Sequence, residues 1–97
     1  MNSTRPAATP TVQIDDERCI VTRWDFPPGA ETGWHRHGHD YVVIPLTSGT
    51  MQLETPDGEQ QATLTPGVSY RRPVGVEHNV INAGSESFSF IEVEMKA

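Results

Sequence analysis

The chain has 97 residues, enough for one domain with a modest core, since a chain this short buries only about 65% of the surface its unfolded form exposes. Its 7 Lys and Arg against 13 Asp and Glu give a formal charge of −6, which argues against nucleic acid and against an anionic membrane surface as partners. No apolar run approaches the ~20 residues that span a bilayer, and no signal-peptide h-region is visible. Cys19 is the only cysteine, so a disulfide within the monomer is excluded and a cytoplasmic setting is expected.

Residues 1–10 (MNSTRPAATP) are rich in Ser, Thr, Ala and Pro without periodicity and read as a flexible N-terminal arm. Residues 11–97 read as one all-β domain, in which short apolar runs are punctuated by Gly and Pro and no segment carries helical periodicity. Arg18–Phe26 is expected as a strand stopped by Pro27-Pro28-Gly29. Tyr41–Thr47 is β-branched and turns at Ser48-Gly49. Met51–Thr55 and Glu59–Leu64 flank Pro56-Asp57-Gly58, a hairpin signal. After Pro66-Gly67 come Val68–Arg72 and Val76–Asn82, the latter ended by Ala83-Gly84-Ser85. Ser87–Met95 starts with Phe88 and Phe90 on one phase and shifts to Ile91, Val93 and Met95 on the other. About eight short strands at this spacing suit a sandwich or barrel.

Three of the 4 histidines, His35, His37 and His39, occupy alternate positions. Residues two apart on a strand share a face, about 6.5–7 Å apart at Cα, so His35 and His37 can converge on one ion at about 2.0–2.1 Å from each nitrogen. A distant element supplies a third imidazole. Pro73-Val74-Gly75 is a rigid turn that fixes where His78 emerges, and strand pairing in a barrel can bring it opposite the first two.

At these residues the sequence resembles the cupin superfamily. Gly67, Pro73, Gly75, His78 and Asn82 match every fixed position of the second cupin motif, G-x5-P-x-G-x2-H-x3-N. Gly29, His35, His37 and Gly49 match the first, G-x5-H-x-H-x(3,4)-E-x6-G, but its glutamate is missing. Keeping six residues before Gly49 puts the glutamate position at Val42; the shorter spacing puts it at Tyr41. The resemblance implies a single-domain cupin β-barrel, a double-sheet jelly roll, as a homodimer. It also implies one divalent metal per chain (Fe, Zn, Ni, Mn or Cu) in the barrel mouth, held here by His35, His37 and His78. His39 and Asp40 are the candidates to stand in for the absent glutamate.

Three neutral imidazoles leave the charge of a dipositive metal uncompensated, so the site should favour a small anionic ligand and acidify bound water. It is similar in this to three-histidine cupins, among them dioxygenases that cleave β-diketones and thiol-oxidising enzymes. The block YVVIPLTSG is also similar to that of short cupins that carry the name β-alanine degradation protein. The expected function is therefore an enzyme acting on a small anionic metabolite, by dioxygenase-type cleavage or by metal-assisted isomerisation or hydrolysis. A non-catalytic, metal-stabilised ligand-binding cupin is the alternative. His39 as proton donor and Tyr41 as phenolic hydrogen-bond donor are the catalytic candidates.

Arg36, between two ligands, should point outside, whereas one of Arg71 and Arg72 should face in, where it could clamp a carboxylate. Trp24, Trp34, Phe88 and Phe90 read as core or dimer interface, Asn82 as a backbone tie, and Glu77 as an orienter of His78 or plain surface. Ile14, Val21 and Phe90 are the interface candidates for the homodimer.

Overall fold

The computed structural model describes residues 4–96, and among them every regular element is a strand. In chain order these are β1 (Thr9–Asp15), β2 (Cys19–Phe26), β3 (His35–Arg36), β4 (Asp40–Pro45), β5 (Gly49–Thr55), β6 (Gly58–Leu64), β7 (Tyr70–Arg72), β8 (Glu77–Ile81) and β9 (Phe88–Met95). They form two antiparallel sheets, β1-β2-β9-β4-β7 and β3-β8-β5-β6, which close on a shared interior. The expected all-β double-sheet jelly roll is thus present. No helix of the described residues is long and apolar enough to cross a membrane.

The interior is filled by the inward halves of alternating strands. Phe26, Phe88 and Phe90 are at most 3% exposed, with Phe26 stacked on Phe88 at 4.8 Å and on Phe90 at 5.6 Å between ring centroids. Val43, Met51, Leu53, Leu64 and Val80 complete the core. Each large aromatic removes its apolar surface from water at about 25 cal/mol per Å², so this stack is the main apolar anchor of a small domain. Phe90 therefore cannot be an interface residue: it is 3% exposed within the barrel itself. Asn82 is the expected tie. Its Nδ2 donates to the carbonyls of Phe26 and Glu86, at 3.0 and 2.8 Å, and its Oδ1 accepts from the Gly84 amide at 3.0 Å.

Two expectations are corrected along the chain. Residues 1–3 of the expected arm lie outside the described residues, but from Arg5 onward the segment is bonded to the barrel. Ala8 N donates to Glu31 O at 2.8 Å, Glu31 N to Pro6 O at 2.9 Å, and β1 starts at Thr9 paired with β2. Its polar, wholly exposed sequence, TPTVQID, gives little strand signal, and Pro10 is tolerated because β1 is a sheet edge. The second correction concerns β9. No phase change occurs: β9 pairs without a slip against both β2 and β4, so Phe88, Phe90, Glu92 and Glu94 all share its inner face.

Gly49 belongs to the motif for a packing reason. A Cβ there would stand 3.0 Å from Phe88 Cβ and 3.1 Å from its ring, so any larger residue would require Phe88 to shift by a few tenths of an ångström.

Candidate metal centre

β3 and β8 are adjacent antiparallel strands, and their register sets His35 directly opposite His78. Beyond β3 the pairing is kept by two further backbone bonds, His37 N to Val76 O at 2.9 Å and Gly75 N to His37 O at 2.8 Å. Gly75 has φ +93°, a conformation that side chains with a Cβ rarely adopt, and it turns the chain from Pro73 into β8 so that His78 faces in. Two sequence-distant elements thereby present three imidazoles to one point. His35 Nε2 lies 3.0 Å from His37 Nε2, which lies 3.1 Å from His78 Nε2, and one nitrogen from each of the three falls within 4.8 Å of the others.

This donor set fits a metal ion. His35 Nδ1 is 2.9 Å from the Gly33 carbonyl, and a carbonyl only accepts, so that contact requires the proton on Nδ1 and leaves the Nε2 lone pair facing the other rings. Asn79 holds the Gly33 loop in place, accepting from Gly33 N at 3.0 Å while its Nδ2 donates to Glu31 and Glu54, both at 2.8 Å. Burial and the neighbouring imidazoles depress the histidine pKa values, to about 4 for His37 and about 3 for His78, so both rings are neutral ligands at pH 7. Nitrogens bound at about 2.1 Å to a common ion, and about a right angle apart, stand roughly 3.0 Å from one another. The two short separations match that value.

The glutamate question resolves by side-chain direction. Tyr41 is 2% exposed and stacks on His37, with ring centroids 3.8 Å apart and planes 17° apart, whereas Val42 faces outward opposite Val93. Tyr41 thus stands at the glutamate position and the assignment to Val42 is corrected. Burial, then the charge of Glu92, raises the Tyr41 pKa, so the phenol stays neutral, with Arg72 beside it. Asp40 is engaged elsewhere: it accepts from Val74 N at 2.7 Å and pairs with Arg71 at 3.3 Å. His39 is half-buried and lies outside the three-histidine cluster. Arg36 is exposed, as expected, opposite Glu77 in the register; of the next pair, Arg71 is exposed and Arg72 lines the interior. Trp34 is 54% exposed, so it is neither core nor platform within the monomer.

One residue of the site was absent from the sequence reading. Glu92, from the inner face of β9, is 9% exposed, and one of its carboxyl oxygens is 4.0 Å from His37 Nδ1, the nitrogen turned away from the cluster. Burial, then Glu94, pushes its pKa up to about 7. The sequence signal was the Phe88-x-Phe90-x-Glu92 alternation, masked by reading acidic residues as outward.

Two openings flank the histidines. Beneath them a cavity of about 20 Å³, lined by Tyr41, Tyr70, Arg72, His78 and Glu92, has room for a single water. Outside them a cleft of about 270 Å³ is lined by Trp24, Thr32, Arg36, Glu92 and Glu94 together with His35 and His37. A ligand larger than water must therefore approach from the cleft. A larger groove of about 570 Å³ at Ser48–Thr50 and Asn82–Glu86 carries only Glu86 as a titratable group, so size alone does not locate the chemistry.

A β-barrel with three convergent imidazoles in its mouth is a cupin, and the chain belongs to that family: residues 22–94 match the cupin domain model Cupin_2. Among its relatives, the chain is 61% identical over 94 residues to the β-alanine degradation protein BauB of Pseudomonas aeruginosa, covering 97% of this chain and 99% of that protein. The crystal structure of a cupin domain from Bordetella pertussis Tohama I superposes with a TM-score of 0.95 at 61% identity, over 99% of this chain and 100% of that one. The polyketide cyclase RemF of Streptomyces resistomycificus shares the fold alone, with a TM-score of 0.74 at 22% identity, over 98% of this chain and 71% of its own.

Proposed function

We propose that this chain is a mononuclear metal-dependent enzyme acting on a small carboxylate-bearing metabolite of β-alanine degradation, with His35, His37 and His78 as the metal ligands. The observation that carries the reading is the convergence of the three Nε2 atoms beside an open cleft of metabolite size. The metabolite class is supported by the 61% identity to a relative named for β-alanine degradation. When bound, the metal supplies Lewis acidity and open coordination positions, which suit either dioxygenase-type cleavage or metal-assisted isomerisation or hydrolysis.

The chain's own residues supply the rest. Tyr41 fixes the plane of His37 by stacking, Gly33 fixes the tautomer of His35, and Glu92 offers a carboxyl that exchanges protons near neutrality at the cleft wall. His39, half-buried at the approach to β4 and outside the lining of both openings, stays our candidate proton donor. The experiment is oxygen consumption and product analysis by metal-loaded protein with a panel of β-dicarbonyl and keto-acid substrates. Turnover lost in His78→Ala supports the reading, and no conversion of any member contradicts it.

A second reading, a ligand-binding cupin without turnover, is favoured by one placement: Tyr41 lies beneath His37 rather than in the cleft. Thermal shift with the same panel, positive in the absence of turnover, selects it. We also propose a cytoplasmic homodimer. Ile14 and Val21 lie on the outer face of the five-stranded sheet, in a cross-strand row with Val93 and Val42, an apolar band that a second copy would cover. A monomer by light scattering at micromolar concentration contradicts the dimer.

A further inference from the structure

The cleft beside the histidines has the wrong charge for a site that takes a plain anion. Glu92 and Glu94 are alternate residues of β9, and both line it. Among the described residues no Lys or Arg stands within ion-pair distance of either carboxylate. Glu92 is nine-tenths buried, makes no hydrogen bond, and has as its nearest basic atom among the described residues His37 Nδ1 at 4.0 Å. No fully buried side-chain polar atom of the described residues lacks a hydrogen-bond partner, so the unbonded carboxyl of Glu92 keeps some exposure, and Glu92 lines the cleft from which a donor could reach it.

Among the described residues, Arg36 is the one Lys or Arg on the cleft wall. Its guanidinium leans over the Gly75 turn, one nitrogen lying 3.7 Å from where a Gly75 Cβ would stand. Beside the acids, on the neighbouring strand β2 and paired with Phe90, the half-buried Trp24 also lines the cleft, and an indole ring attracts a cation by its quadrupole. Two carboxyl groups without a Lys or Arg partner, an aromatic side chain and two imidazoles form the lining that an ammonium group would satisfy, and it lies immediately next to the metal-ready nitrogens.

We propose that this cleft is an ammonium subsite, so that the ligand of the centre is a short amino carboxylate rather than a simple anion. Its carboxylate faces the metal at His35, His37 and His78, and its ammonium faces Glu92 and Glu94. The proposal rests on the metal-site reading above and narrows its ligand to a zwitterion that still carries its amine.

The test is calorimetric titration of protein whose metal content has first been measured, using 3-aminopropanoate, butanoate and malonate as probes. Butanoate matches 3-aminopropanoate in shape with methyl in place of ammonium. The expected result is binding of 3-aminopropanoate at least about tenfold tighter than either of the others. Glu94→Gln should reduce that preference to less than about threefold, Glu94→Asp should keep it, and neither should change metal content. Equal or tighter binding of butanoate or malonate, no binding of any probe, or a preference untouched by Glu94→Gln overturns the proposal. Propylammonium, titrated into metal-free protein, separates the two failures. If the protein takes no metal, the metal reading falls, and the ammonium subsite then stands or falls on whether propylammonium binds and Glu94→Gln abolishes it.

Discussion

The two halves of β9 present one face of one strand to the same interior, yet they build different things. Phe88 and Phe90 stack on Phe26 and close the barrel as core, whereas Glu92 and Glu94, continuing the same alternation, line the mouth beside the histidines. Direction is set by the pleat, which no side chain can override once β9 is paired on both edges. Whether the interior is dry core or working site is then decided by composition alone. A carboxyl at the inner face is costly to bury, and its elevated pKa is the measure of that cost.

The comparison can be broken most severely at its apolar end. Phe88→Ala should cost about 3–5 kcal/mol, because the emptied volume lies between Phe26, Phe90 and the Gly49 approach, where little can collapse. Urea unfolding of the metal-free protein checks it, and a loss below about 1 kcal/mol would show that the stack is not the anchor.

At the polar end the sign reverses. The folded pKa of Glu92 lies near 7 against 4.5 in an ordinary environment, so its contribution is present below 4.5 and lost as pH rises through 7. Glu92→Gln should therefore stabilise the metal-free fold at pH 8 by roughly 1–3 kcal/mol, with the difference vanishing below about pH 4.5. His37 and His78 act the other way. Their folded values of about 4 and about 3 lie below 6.5, so stability is present above 6.5 and lost as pH falls from there toward 4 and below. Urea midpoints across this range should accordingly fall more steeply on acidification in Glu92→Gln than in the parent chain, since the opposing group is gone. The smallest effect is expected for Tyr41→Phe, which keeps the stack on His37 and loses only the polar contact with Arg72, costing less than about 1.5 kcal/mol and leaving metal content unchanged.

The asymmetry of β9 also explains what could be read from the amino-acid sequence. Most strands and the His35, His37 and His78 set were legible because turns and ligand spacings are local chemistry: Pro73-Val74-Gly75 fixes its own geometry wherever it occurs. β1 was not, because its one apolar alternation, Val12 and Ile14, is short, is broken by a register shift against β2 and follows Pro10 on an exposed edge. Glu92 was missed for the opposite reason: its alternation is intact, but its polarity suggested the wrong face. Between His37 and Tyr41 the bend at Gly38 breaks the parity count, so the choice between Tyr41 and Val42 needed the pairing of β4 with β9.

The central claim is that His35, His37 and His78 hold one metal ion at the mouth. It is tested most directly by elemental analysis of untagged, anaerobically purified protein beside the His35→Ala/His78→Ala double variant, with circular dichroism confirming that both are folded. The account predicts close to one equivalent of a divalent transition metal per chain in the parent protein and essentially none in the variant. A folded parent chain without metal, or a variant that keeps its full equivalent, would contradict it.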